Sequence, residues 1–89
     1  MTHAGPRLQL ITRVDCHLCD VAKEAMARVA ARSGLEWEEL DVDADPALQE
    51  EYWDRVPVVL LDGKEHGYWR VAEERLRRDI GKPPGAPRL

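Results

Sequence analysis

The sequence predicts an α/β fold of the order β-α-β-α-β-β-α, a four-stranded mixed sheet flanked by three helices. Three observations carry that expectation. Apolar residues recur with a period of two over residues 7–14 and with the helical period from Leu18 onward. A second alternation of strand and helix follows, its helix opened by Asp45-Pro46. A valine-rich run over residues 56–61 then ends on Asp62-Gly63, a dipeptide suited to tight hairpins whose central residues need positive φ.

Each element has its own reason. Residues 7–14 (RLQLITRV) set Leu8, Leu10, Thr12 and Val14 against Gln9, Ile11 and Arg13, the alternation of a strand. The first helix aligns Leu18, Ala22, Ala25, Met26 and Val29 on one face and stops at Gly34, where a left-handed cap is wanted. Residues 35–42 (LEWEELDV) read as a second strand with a register shift at Glu38-Glu39. Asp45 caps a short helix over residues 47–53, with Pro46 at the first helical position. The run VPVVLL carries its proline near the start, where a sheet tolerates one. Residues 64–70 form a weaker strand. The last helix covers residues 72–80, with Leu76 and Ile80 inward and Glu73/Arg77 and Glu74/Arg78 as i,i+4 pairs on a solvated face. The domain is therefore expected over residues 7–81, between a flexible N-terminus at 1–6 and a disordered tail at 82–89 that holds three prolines and a glycine.

Composition narrows the function. Eighty-nine residues make one domain, which buries roughly 60–65% of the surface its unfolded chain exposes. A hydrophobic fraction of 44% beside a charged fraction of 34% is that of a folded chain, not a disordered one. The net charge of −4 argues against a sequence-independent grip on nucleic acid. No apolar run reaches the roughly 18–20 residues of a membrane span, and residues 1–9 carry no apolar signal core. A cytoplasmic monomer without nucleic-acid or membrane partners is the expectation.

The two cysteines, Cys16 and Cys19, decide more. A bridge between them would close a tiny loop and constrain little of the unfolded chain, so the pair is poorly placed as a staple. Cys16 falls where the first strand ends and the long helix begins. Unpaired N–H groups and the helix dipole meet there, and both favour an anion such as a thiolate, the nucleophilic form of cysteine. Arg13 and a protonated His17 would reinforce that field, while Asp15 and Asp20 oppose it. Cys19, one turn on and more enclosed, is placed to resolve a mixed disulfide formed at Cys16. Two other readings use the same residues. The cysteines are ligands of a zinc ion or an iron–sulfur cluster, with His3, His17 and His66 the histidines at hand, or they are inert apolar side chains in a redox-inactive scaffold.

The C-H-L-C segment after the first strand, followed by R-V-P-V-V opening the third, resembles the glutaredoxins of the thioredoxin-fold superfamily. The resemblance covers residues 7–80. It implies a thioredoxin-like fold and a thiol–disulfide oxidoreductase in which Cys16 is the nucleophile and Cys19 resolves. It further implies a cis bond before Pro57, main-chain groups of Val56 offered to the substrate thiol peptide, and Arg13 in the place of the family's basic residue. Arg55 and Trp69 border the implied substrate groove, and His17 sits within the dithiol. Disulfide-containing proteins or small molecules are the implied substrates. No metal or organic cofactor is required for turnover, and the reductant is glutathione, another low-molecular-weight thiol or a protein reductase. The chain departs from the family's pattern at three places. His17-Leu18 replaces Pro-Tyr, Arg55 replaces threonine, and Tyr68-Trp69-Arg70-Val71 replaces the Gly-Gly and Ser/Asp that hold the γ-glutamyl end of glutathione.

Overall fold

A computed structural model describes residues 6–81. Of the expected N-terminal segment only Pro6 falls among them, and the expected tail at 82–89 lies outside them. The elements are β1 (Leu8–Thr12), α1 (His17–Ser33), β2 (Trp37–Asp41), a 3₁₀ turn (Val42–Ala44), α2 (Pro46–Tyr52), β3 (Val58–Leu61), β4 (Lys64–Tyr68) and α3 (Glu73–Ile80). The sheet order is β2-β1-β3-β4, parallel between β1 and β2 and antiparallel at the other two seams. The β-α-β-α-β-β-α order expected above is thus the order observed.

β1 is central, and all five of its residues are buried. Leu8 and Leu10 face one side, where Val59 and Leu61 of β3 meet Ala22, Met26, Val29 and Ala30 of α1 and Leu76 of α3. Ile11 faces the other, with Val42, Val58 and Leu60 under Leu48 and Tyr52 of α2. Both faces of the sheet are therefore covered, and a strand in the middle loses the clean inside–outside alternation of a one-sided sheet. Its polar members are satisfied sideways. The Gln9 amide donates to Glu38 at 2.8 Å, and the Thr12 hydroxyl donates to Glu39 at 2.6 Å.

Several element ends differ from expectation for identifiable reasons. β1 pairs with β3 only as far as Ile11, since Thr12 falls opposite Pro57, which has no N–H to donate, and the strand ends at Thr12 with its last partner on β2. Val14, expected as the last residue of the strand, is 72% exposed in the loop that follows. β2 begins at Trp37, and its pairing with β1 runs without a break, so the register shift expected there is absent. The irregularity lies in β4 instead. Gly67 and Glu65 oppose the adjacent residues Val59 and Leu60, which leaves His66 as the extra residue of a bulge. Leu18, expected inward, is 52% exposed, and Cys19 takes the buried position on that turn. On α3, Glu73 pairs with Arg28 of α1 at 2.9 Å rather than with Arg77, so what was expected to be a solvated face fastens two helices.

Other local signals read as expected. Asp62 and Gly63 both have positive φ (54° and 81°) in the β3–β4 turn. Arg7 grips that turn with a two-pronged ion pair to Asp62, at 2.7 and 3.0 Å. The Asp45 side chain caps α2 by accepting from the Ala47 N–H at 2.9 Å, with Pro46 at its start.

Candidate dithiol site

The end of β1 and the start of β3 lie at the same end of the sheet, because Ile11 pairs with Val58 where the chain leaves β1 and enters β3. From β1 the chain turns through residues 13–16, with Asp15 in the left-handed region at φ 59°, and enters α1. Cys16 is the N-cap. Its backbone is extended (φ −113°, ψ 110°), and its Sγ accepts the Cys19 N–H at 3.2 Å. A sulfur thus stands where serine or aspartate oxygen usually satisfies one of the unpaired donors of a first helical turn. Cys16 is half-buried, Cys19 is fully buried, and both are free thiols.

Burial pushes the Cys19 thiol up to about 11, and its side-chain hydrogen bond with Cys16 adds to the rise. The Arg13 main-chain amide and the charge of Lys23 act in the opposite direction. Lys23 lies one turn beyond Cys19 on α1 and is fixed by Glu39 at 3.2 Å and, more loosely, by Asp20 at 3.7 Å. Glu39 is held below the ordinary carboxylate range first by the Thr12 hydroxyl and then by Lys23. The two sulfurs therefore differ in setting: one is reachable and faces an N–H, the other is enclosed and holds its proton.

The remaining candidates are placed unequally. The Val56–Pro57 bond is cis, and the Pro57 carbonyl accepts the Trp69 N–H at 2.7 Å. Among the described residues, the Val56 N–H and C=O form no main-chain hydrogen bond. His17 is exposed as the first residue of α1. Arg13 lines a polar cleft with Asp20 and Lys23, but its guanidinium is held by Asp43 at 3.1 Å. Arg55 lies over the Tyr52 ring at 5.4 Å and pairs with Glu51, Asp54 and Glu65, so its side chain is spoken for by α2 and β4. Trp69 is 53% exposed, left-handed at φ 66°, and packed edge-on against Tyr68 at 5.0 Å.

A groove of about 190 Å³ runs along the start of α1 past Trp69, and its α1 wall is what sequence reasoning missed. Leu18, Val21 and Ala25 form one wall, and Trp69 and Val71 the other. Its signal was a second apolar stripe on α1, at positions 18, 21 and 25, beside the core stripe at 19, 22, 26 and 29.

Residues 7–81 match the glutaredoxin-like domain family (DUF836). An uncharacterized protein of Mycobacterium tuberculosis is 43% identical over 89 residues, covering 89% of this chain and 92% of that protein. The X-ray structure of a structural-genomics target protein from X. campestris superposes with a TM-score of 0.68 at 38% identity, covering 86% of this chain and 99% of the other. The holo form of glutaredoxin C1 from Populus tremula x tremuloides superposes with a TM-score of 0.50 at 16% identity, over 82% of this chain and 76% of the other, a likeness of fold alone.

Proposed function

We infer that this chain, which belongs to the glutaredoxin-like domain family, is a thiol–disulfide oxidoreductase working through Cys16 and Cys19. One observation carries the reading: the partly exposed Cys16 sulfur caps α1 and accepts the N–H of Cys19, whose own sulfur is buried one turn behind.

The chemistry follows from that asymmetry. Cys16, as thiolate, attacks one sulfur of a substrate disulfide. The substrate S–S bond breaks, a Cys16–substrate bond forms, and the second substrate sulfur leaves as thiolate and takes up a proton. Cys19 then gives up its proton and attacks the Cys16 sulfur, releasing the first substrate thiol and leaving a Cys16–Cys19 disulfide. Two electrons and two protons pass to the substrate. A second thiol pair, from a low-molecular-weight thiol such as glutathione or from a protein reductase, returns them.

Val56 offers the substrate strand an N–H and a C=O that no main-chain partner occupies within the described residues. His17 borders the approach from the exposed first turn of α1. Arg13 and Arg55 are assigned to the rim, since Asp43 and three glutamate and aspartate partners hold their charged ends. No metal or organic cofactor enters the cycle. The test is trapping: with a mixed-disulfide reagent, Cys19→Ser accumulates the covalent adduct at Cys16 and Cys16→Ser does not. Equal trapping by the two variants would overturn the roles.

A further inference from the structure

The groove along the start of α1 has three features that need explaining together. Its walls are apolar and wet: Leu18, Val21 and Trp69 are each more than half exposed. Single exposed apolar residues are ordinary, but several lining one concavity mark a binding surface. Trp69 is also held there by an unfavourable backbone. The Arg70 N–H donates to the Tyr68 carbonyl at 2.8 Å, closing a γ-turn around a left-handed tryptophan, while the Trp69 N–H is anchored on Pro57. The hand of γ-turn with positive central φ is the rare, strained one, and strain retained at an exposed aromatic points to use. Finally, the charges at the rim are largely spent on each other, because Arg28 and Glu73 form a forked pair at 2.9 and 3.2 Å.

Two of the groove's lining residues are tied to the reacting segments. Leu18 separates the two cysteines in sequence, and Trp69 is hydrogen-bonded to the residue that follows Val56. At about 190 Å³ it is smaller than whole-ligand sites, which run to roughly 300–1,000 Å³, and suits one side chain. Glutathione carries two carboxylates and no large apolar group. Among the described residues lining the groove, Arg28 is already paired with Glu73, so Arg70 could meet one of those carboxylates and no second cation is there for the other.

Building on the oxidoreductase reading, we propose that this groove takes a large apolar side chain next to the disulfide-bonded cysteine of a polypeptide, so that Trp69 and Val21 select protein disulfides over glutathione disulfide. The peptide strand would run past Val56 and drop that side chain between α1 and the β4–α3 turn.

The experiment compares kcat/KM for two synthetic peptide disulfides that differ only in leucine or alanine beside the cysteine, with glutathione disulfide and bis(2-hydroxyethyl) disulfide as further substrates. The wild type prefers the leucine peptide by about tenfold, as burial of a few methylene groups in a half-open pocket provides, and turns over glutathione disulfide more slowly than either peptide. Trp69→Ala and Val21→Arg each bring the leucine-to-alanine ratio below about twofold, a ratio being insensitive to the fraction of folded protein. Val21 is a surface position, so its variant keeps the test open should Trp69→Ala unfold. A wild type that reduces the small disulfide yet treats the peptides alike, or prefers glutathione disulfide, overturns the proposal and leaves the oxidoreductase reading intact. A wild type that reduces none of the four overturns both.

Discussion

His66 Nε2 lies 2.8 Å from Asp79 Oδ2, and the two side chains are only 4% and 2% exposed. The pair joins the β4 bulge to α3. The extra residue in β4 turns the His66 side chain out of the ladder toward the helix, and the Arg75 guanidinium secures the same residue by accepting nothing and donating to its carbonyl at 2.8 Å. The hydrogen bond from His66, with help from Arg78, holds the Asp79 carboxyl below its ordinary value of 3.8.

A depressed carboxylate in the folded state makes stability depend on pH in one direction. The contribution of Asp79 is fully present above about 3.8 and is lost as pH falls through its lower folded value. Asp79→Asn should therefore lower the urea midpoint at pH 7 and narrow its gap from the wild type as the pH approaches 3. A gap that widens with acid, or is constant across that range, would contradict the linkage.

Lys23 should assist resolution of the mixed disulfide. Burial still raises the Cys19 thiol once Cys16 is bonded to the substrate sulfur, so its thiolate fraction, and with it the rate of resolution, should rise with pH. The Lys23 charge favours that thiolate, so Lys23→Ala should slow resolution at pH 8 and carry the profile to higher pH, whereas Lys23→Arg should retain most of the rate. Rapid-mixing release of a chromogenic thiol reads both. Identical profiles for wild type and Lys23→Ala would exclude the role.

Gly34 ends α1 in the left-handed region at φ 67°, and its position has open space where a β-carbon would go. Gly34→Ala should accordingly cost only the conformational term, about 1–2 kcal/mol, in equilibrium unfolding. Gly34→Asn should lose less, since asparagine tolerates this backbone. A loss near zero for alanine would mean the helix end rearranges.

Much of the fold was legible because it rests on local signals. The change of apolar period near Leu18, the Asp45-Pro46 start and the Asp62-Gly63 turn each act over a few residues, and each appears where the chain places it. The dithiol's place at the head of α1 was readable for the same reason. Asp79 was not. An acid among Arg77, Arg78 and Ile80 reads as solvated, and only a histidine thirteen residues earlier, aimed by a bulge, makes its burial tolerable. Leu18 misled because a window of a few apolar residues does not say which of two adjacent stripes faces the sheet.

The amino-acid order alone determined which segments are strand and helix and put one sulfur at a helix start, since propensity, capping and turn chemistry are properties of neighbours along the chain. Tertiary packing decided which sulfur is enclosed, where the sheet bulges, which charges are already paired, and that Leu18 and Trp69 face each other across a groove. Those outcomes depend on groups brought together from distant segments, and burial changes the energetics of charge and apolar surface only after that meeting.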